Sequence, residues 1–171
     1  RNSSSAASDV YKRQADDHEW MGGASMAQNG VVCNPNIPSE EVFTTPHAQR
    51  VEGYVSSTKP LSHQGTLIDN IRVVFEKGSI TDAKASKGET VLKKVLESDE
   101  GARRLGEVAL VPNSSPISNS GLLFYNTLFD ENAACHIALG QCYSKCFKGD
   151  TNLSTSEIRE RGGNSSMIHI D

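Results

Sequence analysis

The chain has 171 residues with 17 basic and 21 acidic side chains and a formal charge of −4, which suffices for one sizeable core and is short for two. It lacks the basic excess of a nucleic-acid or polybasic membrane binder, and no apolar run is long enough to span a bilayer. With no basic-then-apolar leader pattern and four cysteines (Cys33, Cys135, Cys142, Cys146) whose spacing demands no disulfide framework, the expectation is a cytoplasmic protein with reduced thiols.

Residues 1–14, RNSSSAASDVYKRQ, are Ser-rich and polar without a periodic apolar pattern, and they resemble a translated sequencing-adaptor scar. They are expected to be a disordered, non-native leader, leaving one domain over residues 15–171. Trp20 ahead of Gly22 and Gly23 predicts a turn that packs one large aromatic ring. In the next stretch Pro35, Pro38 and Pro46 punctuate two short β-favouring runs, which argues against helix. From Val51 to Ser86 short β-rich runs alternate with turn residues, the pattern of an antiparallel meander. The period then changes. Val91, Leu92, Val95 and Leu96 fall at helical spacing with Lys93 and Lys94 opposite, predicting one amphipathic helix over the sheet. A second short helical turn, capped at Ser98 or Asp99, is expected at Gly101–Leu105. Gly106–Pro112 reads as an apolar strand, and the segment after Tyr143 as a long polar excursion. Together these elements predict an α+β fold, strand-dominated, with a mainly antiparallel sheet, one main covering helix and short helical turns.

The chemistry-bearing residues are unevenly spread. Glu131 and His136 stand five apart in an otherwise apolar run, where burial would require hydrogen bonds or a cation. Carboxylate and imidazole together suit zinc and its first-row neighbours. In Glu40-Glu41 at most one side chain can face a given site if the segment is a strand, and taken alone the two read as a solvent-facing acidic pair. Glu107 is the lone charge on an apolar strand; it either sits at an exposed strand end or faces a cation. Strand alternation puts His169 and Asp171 on one face, spaced to meet one metal. Taken alone, His47 reads as a surface histidine and Arg103-Arg104 as a solvated pair. Cys142 and Cys146 with His136 could be grouped as a zinc cluster, but paired Cys-x-x-Cys knuckles are absent.

Six stretches, NIPSEEVFTTP, TKPLSHQG, DEGARRLGEVALVP, SPI, GLLFYNTLFDENAACHIALG and MIHID, occur in an order that resembles the M29 family of metal-dependent aminopeptidases, the aminopeptidase T and aminopeptidase S group. The resemblance runs from Trp20 to Asp171. It implies that Glu41, Glu107, Glu131, His136, His169 and Asp171 are metal ligands and that Tyr143 is the catalytic tyrosine. It further implies two divalent ions (zinc, cobalt or manganese), with Glu107 bridging, Glu41 and His136 on one ion, and Glu131, His169 and Asp171 on the other. Substrates would be peptides with a free amino terminus, and the full-length protein would be a homodimer. Since family members carry an additional amino-terminal domain and continue past HID, the resemblance also implies a piece truncated at both ends. Three functional readings follow: a metalloaminopeptidase; a catalytically incomplete metal-binding or dimerisation module of one; and an α+β domain whose acids and histidines are ordinary surface or hydrogen-bonded groups.

Overall fold

The computed structural model describes residues 8–149 and 152–171. Thirteen strands and four α-helices occur among them. The strands are β1 (Ser8–Gln14), β2 (Met21–Gly22), β3 (Ser25–Met26), β4 (Val32–Cys33), β5 (Val42–Thr44), β6 (Pro46–Ser56), β7 (Leu61–His63), β8 (Thr66–Ile68), β9 (Arg72–Glu76), β10 (Ser79–Lys84), β11 (Leu105–Leu110), β12 (His136–Gly140) and β13 (His169–Ile170). The helices are α1 (Glu89–Leu96), α2 (Pro116–Ser120), α3 (Thr127–Asp130) and α4 (Thr155–Glu160).

Two antiparallel sheets dominate. One has strand order β1-β6-β9-β10, the other β13-β12-β11-β5-β2, and β3-β4 and β7-β8 form separate ribbons. The main core gathers Val51, Val73, Phe75 and Ile80 from the first sheet with Leu105, Leu139 and Ile170 from the second. Leu92 and Leu96 of α1 close the same core, at the helical spacing legible in the sequence. Burying each such leucine stabilises the fold by roughly 1.5–3 kcal/mol relative to exposure. The strand-dominated α+β architecture with one covering helix is therefore observed.

Several local expectations are corrected. Ser8–Gln14 is strand β1, paired antiparallel to β6 from Ser8↔Val55 to Lys12↔Val51. Its polar composition is that of a strand whose alternate residues turn inward: Val10, Lys12 and Gln14 are half-buried while Asp9, Tyr11 and Arg13 are exposed. The rest of the expected leader, residues 1–7, lies outside the described residues. Trp20 stays 42% exposed, so the turn there does not bury it. His47, expected at the surface, is buried on β6, with its Nδ1 accepting from the Gln49 amide and its ring packed where a Cβ on Gly162 would clash. The polar stretch after Tyr143 contains α4, whose start is a capping box: Ser154 accepts from the Glu157 amide, and Glu157 accepts from the Ser154 amide. Arg103 and Arg104 donate to backbone carbonyls of Ile80, Ala48 and Lys77.

Candidate metal centre

The register of the five-stranded sheet assembles the site. Phe43 on β5 pairs with Ala109 on β11, Ala109 with His136 on β12, Glu107 with Ala138, and Gly140 with His169 on β13. Directly paired residues share a face, and so do residues two apart along a strand. Glu107, His136 and His169 therefore point to one side of the sheet, joined by Glu41 two residues before Phe43 and Asp171 two after His169. The opposite side carries Leu139 and Ile170 into the core. Glu131 comes from elsewhere, at the start of a 3-10 turn, Glu131–Ala133, that directly follows α3.

Three overlapping groups of possible ligands result: Glu41, Glu107 and His136; Glu107, His169 and Asp171; and Glu131, His136 and Asp171. Glu107 belongs to the first two. Its Oε1 lies 3.9 Å from His136 Nε2 and its Oε2 3.5 Å from His169 Nε2. His169 Nε2 is also 3.6 Å from Asp171 Oδ1, and His136 Nε2 is 3.1 Å from Glu41 Oε2. Glu131 groups with one residue from each of the two implied sets. Cys142 and Cys146 are buried in small apolar clusters and belong to none of these groups, and all four cysteines are free thiols.

Both imidazoles are oriented alike. His136 Nδ1 lies 3.0 Å from the Ala134 carbonyl and His169 Nδ1 2.7 Å from the Gln141 carbonyl. A carbonyl only accepts, so each Nδ1 carries hydrogen, and whenever the ring is neutral its Nε2 lone pair faces the carboxylates. Backbone support of this kind fixes the orientation of metal-ligating histidines.

The electrostatics are those of negative charges gathered away from water. Burial, then the charges of Asp171 and Glu41, pushes the Glu107 carboxyl up to about 7. The same causes push Glu131 up to about 8. For His136 burial acts downward, but the facing Glu41 carboxylate and the Ala134 carbonyl raise it to about 9. For His169 burial also acts downward and is outweighed by Asp171. Burial acts upward on Asp171, whose carboxyl is nonetheless held below its ordinary value by the two histidines. Among the described residues, Glu41 Oε2 is buried without a hydrogen-bond donor in suitable geometry. Divalent cations fit this donor set: hard carboxylates and borderline imidazoles, with an orphaned oxygen aimed among them.

A cleft of about 360 Å³ opens over Glu41, Glu107, Glu131, His169 and Asp171, lined also by His63, Thr127, Tyr143 and Lys145. The Tyr143 ring packs against Phe43 at 5.6 Å and His169 at 4.8 Å between centroids. Burial, then the charge of Glu107, raises its hydroxyl well above the usual range, so it keeps its proton at neutral pH. Lys145 Nζ sits 4.8 Å from the Phe43 ring centroid and 5.6 Å from that of Tyr143.

One residue absent from the sequence reading supports the site. Asn132, 1% exposed, accepts from the Glu40 amide at 2.7 Å and donates to the Leu128 carbonyl. Ser115 Oγ donates to the Asn132 carbonyl at 2.6 Å. The side chain thus ties the turn bearing Glu131 to the strand entry bearing Glu41. An amide-bearing residue in an apolar run was its only local signal.

Residues 2–171 match the family described as Thermophilic metalloprotease (M29). The chain is 52% identical over 163 residues to Aminopeptidase T of Thermus thermophilus, covering 95% of this chain and 40% of that protein. It is 53% identical over 156 residues to Aminopeptidase 2 of Geobacillus stearothermophilus, covering 91% of this chain and 38% of that one. The structure of wild-type AmpT from Thermus thermophilus superposes with a TM-score of 0.90 at 50% identity, over 96% of this chain and 40% of the other. The chain thus spans about two fifths of the length of these relatives, and over that span the likeness holds in sequence and in three dimensions. On this agreement, the chain belongs to the M29 metalloprotease family.

Proposed function

We propose that this chain carries the dinuclear metal site of an aminopeptidase, which hydrolyses the first peptide bond of peptides with a free amino terminus. The observation that carries the reading is Glu107, buried at the centre of the sheet face with one carboxylate oxygen toward each histidine. A carboxylate so placed would be able to serve two ions at once. In this reading Glu41, His136 and Glu107 hold one ion, Glu107, His169 and Asp171 the other, and Glu131 reaches between His136 and Asp171. Zinc, cobalt and manganese all accept this mixture of ligands. Bound there, the ions would lower the pKa of water, polarise the scissile carbonyl and take up the substrate's α-amine.

The chain's own residues supply the rest. Tyr143 lines the cleft and stays protonated, and in this reading its hydroxyl donates to the oxyanion of the tetrahedral transition state. The aromatic packing of its ring against Phe43 and His169 holds that hydroxyl in position. Glu41 and Glu131, outside the bridging position, are candidates to take up a proton. A homodimeric full-length protein in the cytoplasm belongs to the same reading and rests on the family resemblance.

The test compares this chain with a version extended to the relatives' length using the corresponding parts of Aminopeptidase T. Metal content and leucyl-anilide hydrolysis are measured in both. Two ions per chain, with hydrolysis by the extended protein that Glu107→Gln abolishes, are expected. Failure of both proteins to bind two ions would remove the proposal.

A further inference from the structure

Strand β13 is only two residues long, with two register pairs to β12, yet it and the residue after it present two of the six candidate ligands. So short a ladder does not by itself fix where His169 and Asp171 sit. The backbone ahead of it, Asn164 to Ile168, is held by a network of side chains.

Asp99 stands at its centre. One carboxylate oxygen, Oδ1, accepts from the Ala102 amide at 2.9 Å and thereby caps the 3-10 turn Glu100–Arg103. Capping needs no more than this. The other oxygen, Oδ2, accepts from the Met167 amide at 2.6 Å, and Ser166 Oγ donates to the carboxylate, 2.9 Å from Oδ1 and 3.0 Å from Oδ2. Ser166 Oγ in turn accepts from the Ile168 amide. Gln141 completes the frame: its Oε1 accepts from the Ser166 amide, its amide donates to the Ile168 carbonyl, and its carbonyl takes the His169 Nδ1 hydrogen. The 3-10 turn and this backbone touch closely, since a Cβ on Gly101 would lie 2.1 Å from the Ser165 carbonyl oxygen.

The turn that Asp99 caps leads directly into β11 and Glu107. One carboxylate therefore joins the strand of Glu107 to the backbone that delivers His169 and Asp171. We infer that Asp99 is a positioning residue of the metal centre, fixing His169 and Asp171 relative to Glu107 through Ser166 and Met167. The inference rests on the metal-centre reading. It requires of Asp99 more than capping, because ligand atoms must be placed within about 0.2 Å of their bonding distances, and supporting hydrogen bonds around metal ligands typically set affinity by 10–100-fold.

The test uses the 171-residue chain in four variants beside the wild type: Asp99→Ala, Asp99→Asn, Ser166→Ala and, as a control, Ser154→Ala, which removes the cap of α4. Zinc affinity is measured by competition with a chromophoric chelator, and ligand geometry by the visible absorption spectrum of the cobalt-loaded protein. Asp99→Ala is expected to weaken zinc binding by about 10–100-fold and to alter the cobalt spectrum. Asp99→Asn, which keeps one acceptor, should recover part of both. Ser154→Ala, though lower in Tm, should change neither. A folded Asp99→Ala chain with wild-type affinity and spectrum overturns the inference. Should that variant not fold, Ser166→Ala decides in the same way, unchanged affinity and spectrum again overturning it. A wild-type chain that takes up no zinc overturns the metal-centre reading itself, and the positioning role with it.

Discussion

Glu41 Oε2 and His136 Nε2 face each other at 3.1 Å across a buried gap, while the other ring nitrogen of His136 is committed to the Ala134 carbonyl. In the neutral ring this sets a lone pair against a carboxylate oxygen. A cation between them resolves the conflict, and a proton on Nε2 is the alternative available without one. The two outcomes exclude each other.

Metal should therefore act as a folding ligand. A ligand that binds only the native state stabilises it by about 2.7 kcal/mol at a free concentration of one hundred times its Kd. Scanning calorimetry with zinc, cobalt or manganese is expected to show Tm rising with metal concentration and returning to the starting value with a chelator. A Tm indifferent to all three ions would contradict the centre.

Glu107→Gln keeps the shape of the side chain and removes its charge. If Glu107 is shared, both halves of the centre weaken together, and binding should fall from two ions toward one or none. Hydrolysis by the full-length protein should drop by at least two orders of magnitude, on the order of the loss of a principal electrostatic contact. Metal analysis beside the rate would separate this from a general defect.

Tyr143→Phe removes a hydroxyl that, among the described residues, is hydrogen-bonded to none of the candidate ligands. Metal content should stay at the wild-type level and KM should change little, while kcat falls by about 10²–10³ if the hydroxyl acts on the oxyanion. A loss confined to KM would assign Tyr143 to ground-state binding.

Asn132→Ala leaves the Glu40 amide without its 2.7 Å acceptor and removes the donor to the Leu128 carbonyl. A buried unsatisfied group costs about 1–3 kcal/mol. Urea unfolding should report a loss of that size, and because the contact joins the supports of Glu41 and Glu131, metal affinity should fall as well.

Acid should release the Asp99 clamp. The Met167 amide, with Ser166 and the 3-10 turn amides, holds the Asp99 carboxyl below its ordinary value. A folded-state pKa below the unfolded one contributes stability above the unfolded value, near 3.9, which is lost as pH falls through the folded value. The stability gap between wild type and Asp99→Asn should be constant above about pH 5 and close below about pH 4. A gap that widens in acid would reverse the sign assigned here.

How much of this was legible in the chain depends on distance along it. Alternation within a strand is local, so the common face of His169 and Asp171 could be read directly, as could the limit that only one of Glu40 and Glu41 turns inward; the inward one is Glu41, its side chain 13% exposed. The helical spacing of Leu92 and Leu96 was legible for the same reason. The inward alternation of Val10, Lys12 and Gln14 in β1 and the Ser154–Glu157 capping box of α4 are local signals of the same kind, set in stretches whose polar composition masks them. Family-like motifs named the six candidate ligands and Tyr143, but motifs carry no distances.

The residues by themselves determined the α+β character of the chain, the helix over the sheet and the side chains able to bind metal, because backbone periodicity and donor chemistry are properties of short stretches. Only the tertiary structure decided that Glu107 is buried between two histidines, that Asn132 reaches Glu40 across 92 positions, and that Asp99 holds Met167 across 68. Those relationships depend on strand register and on which groups lose their water when sheets pack. Neither quantity exists until distant segments meet.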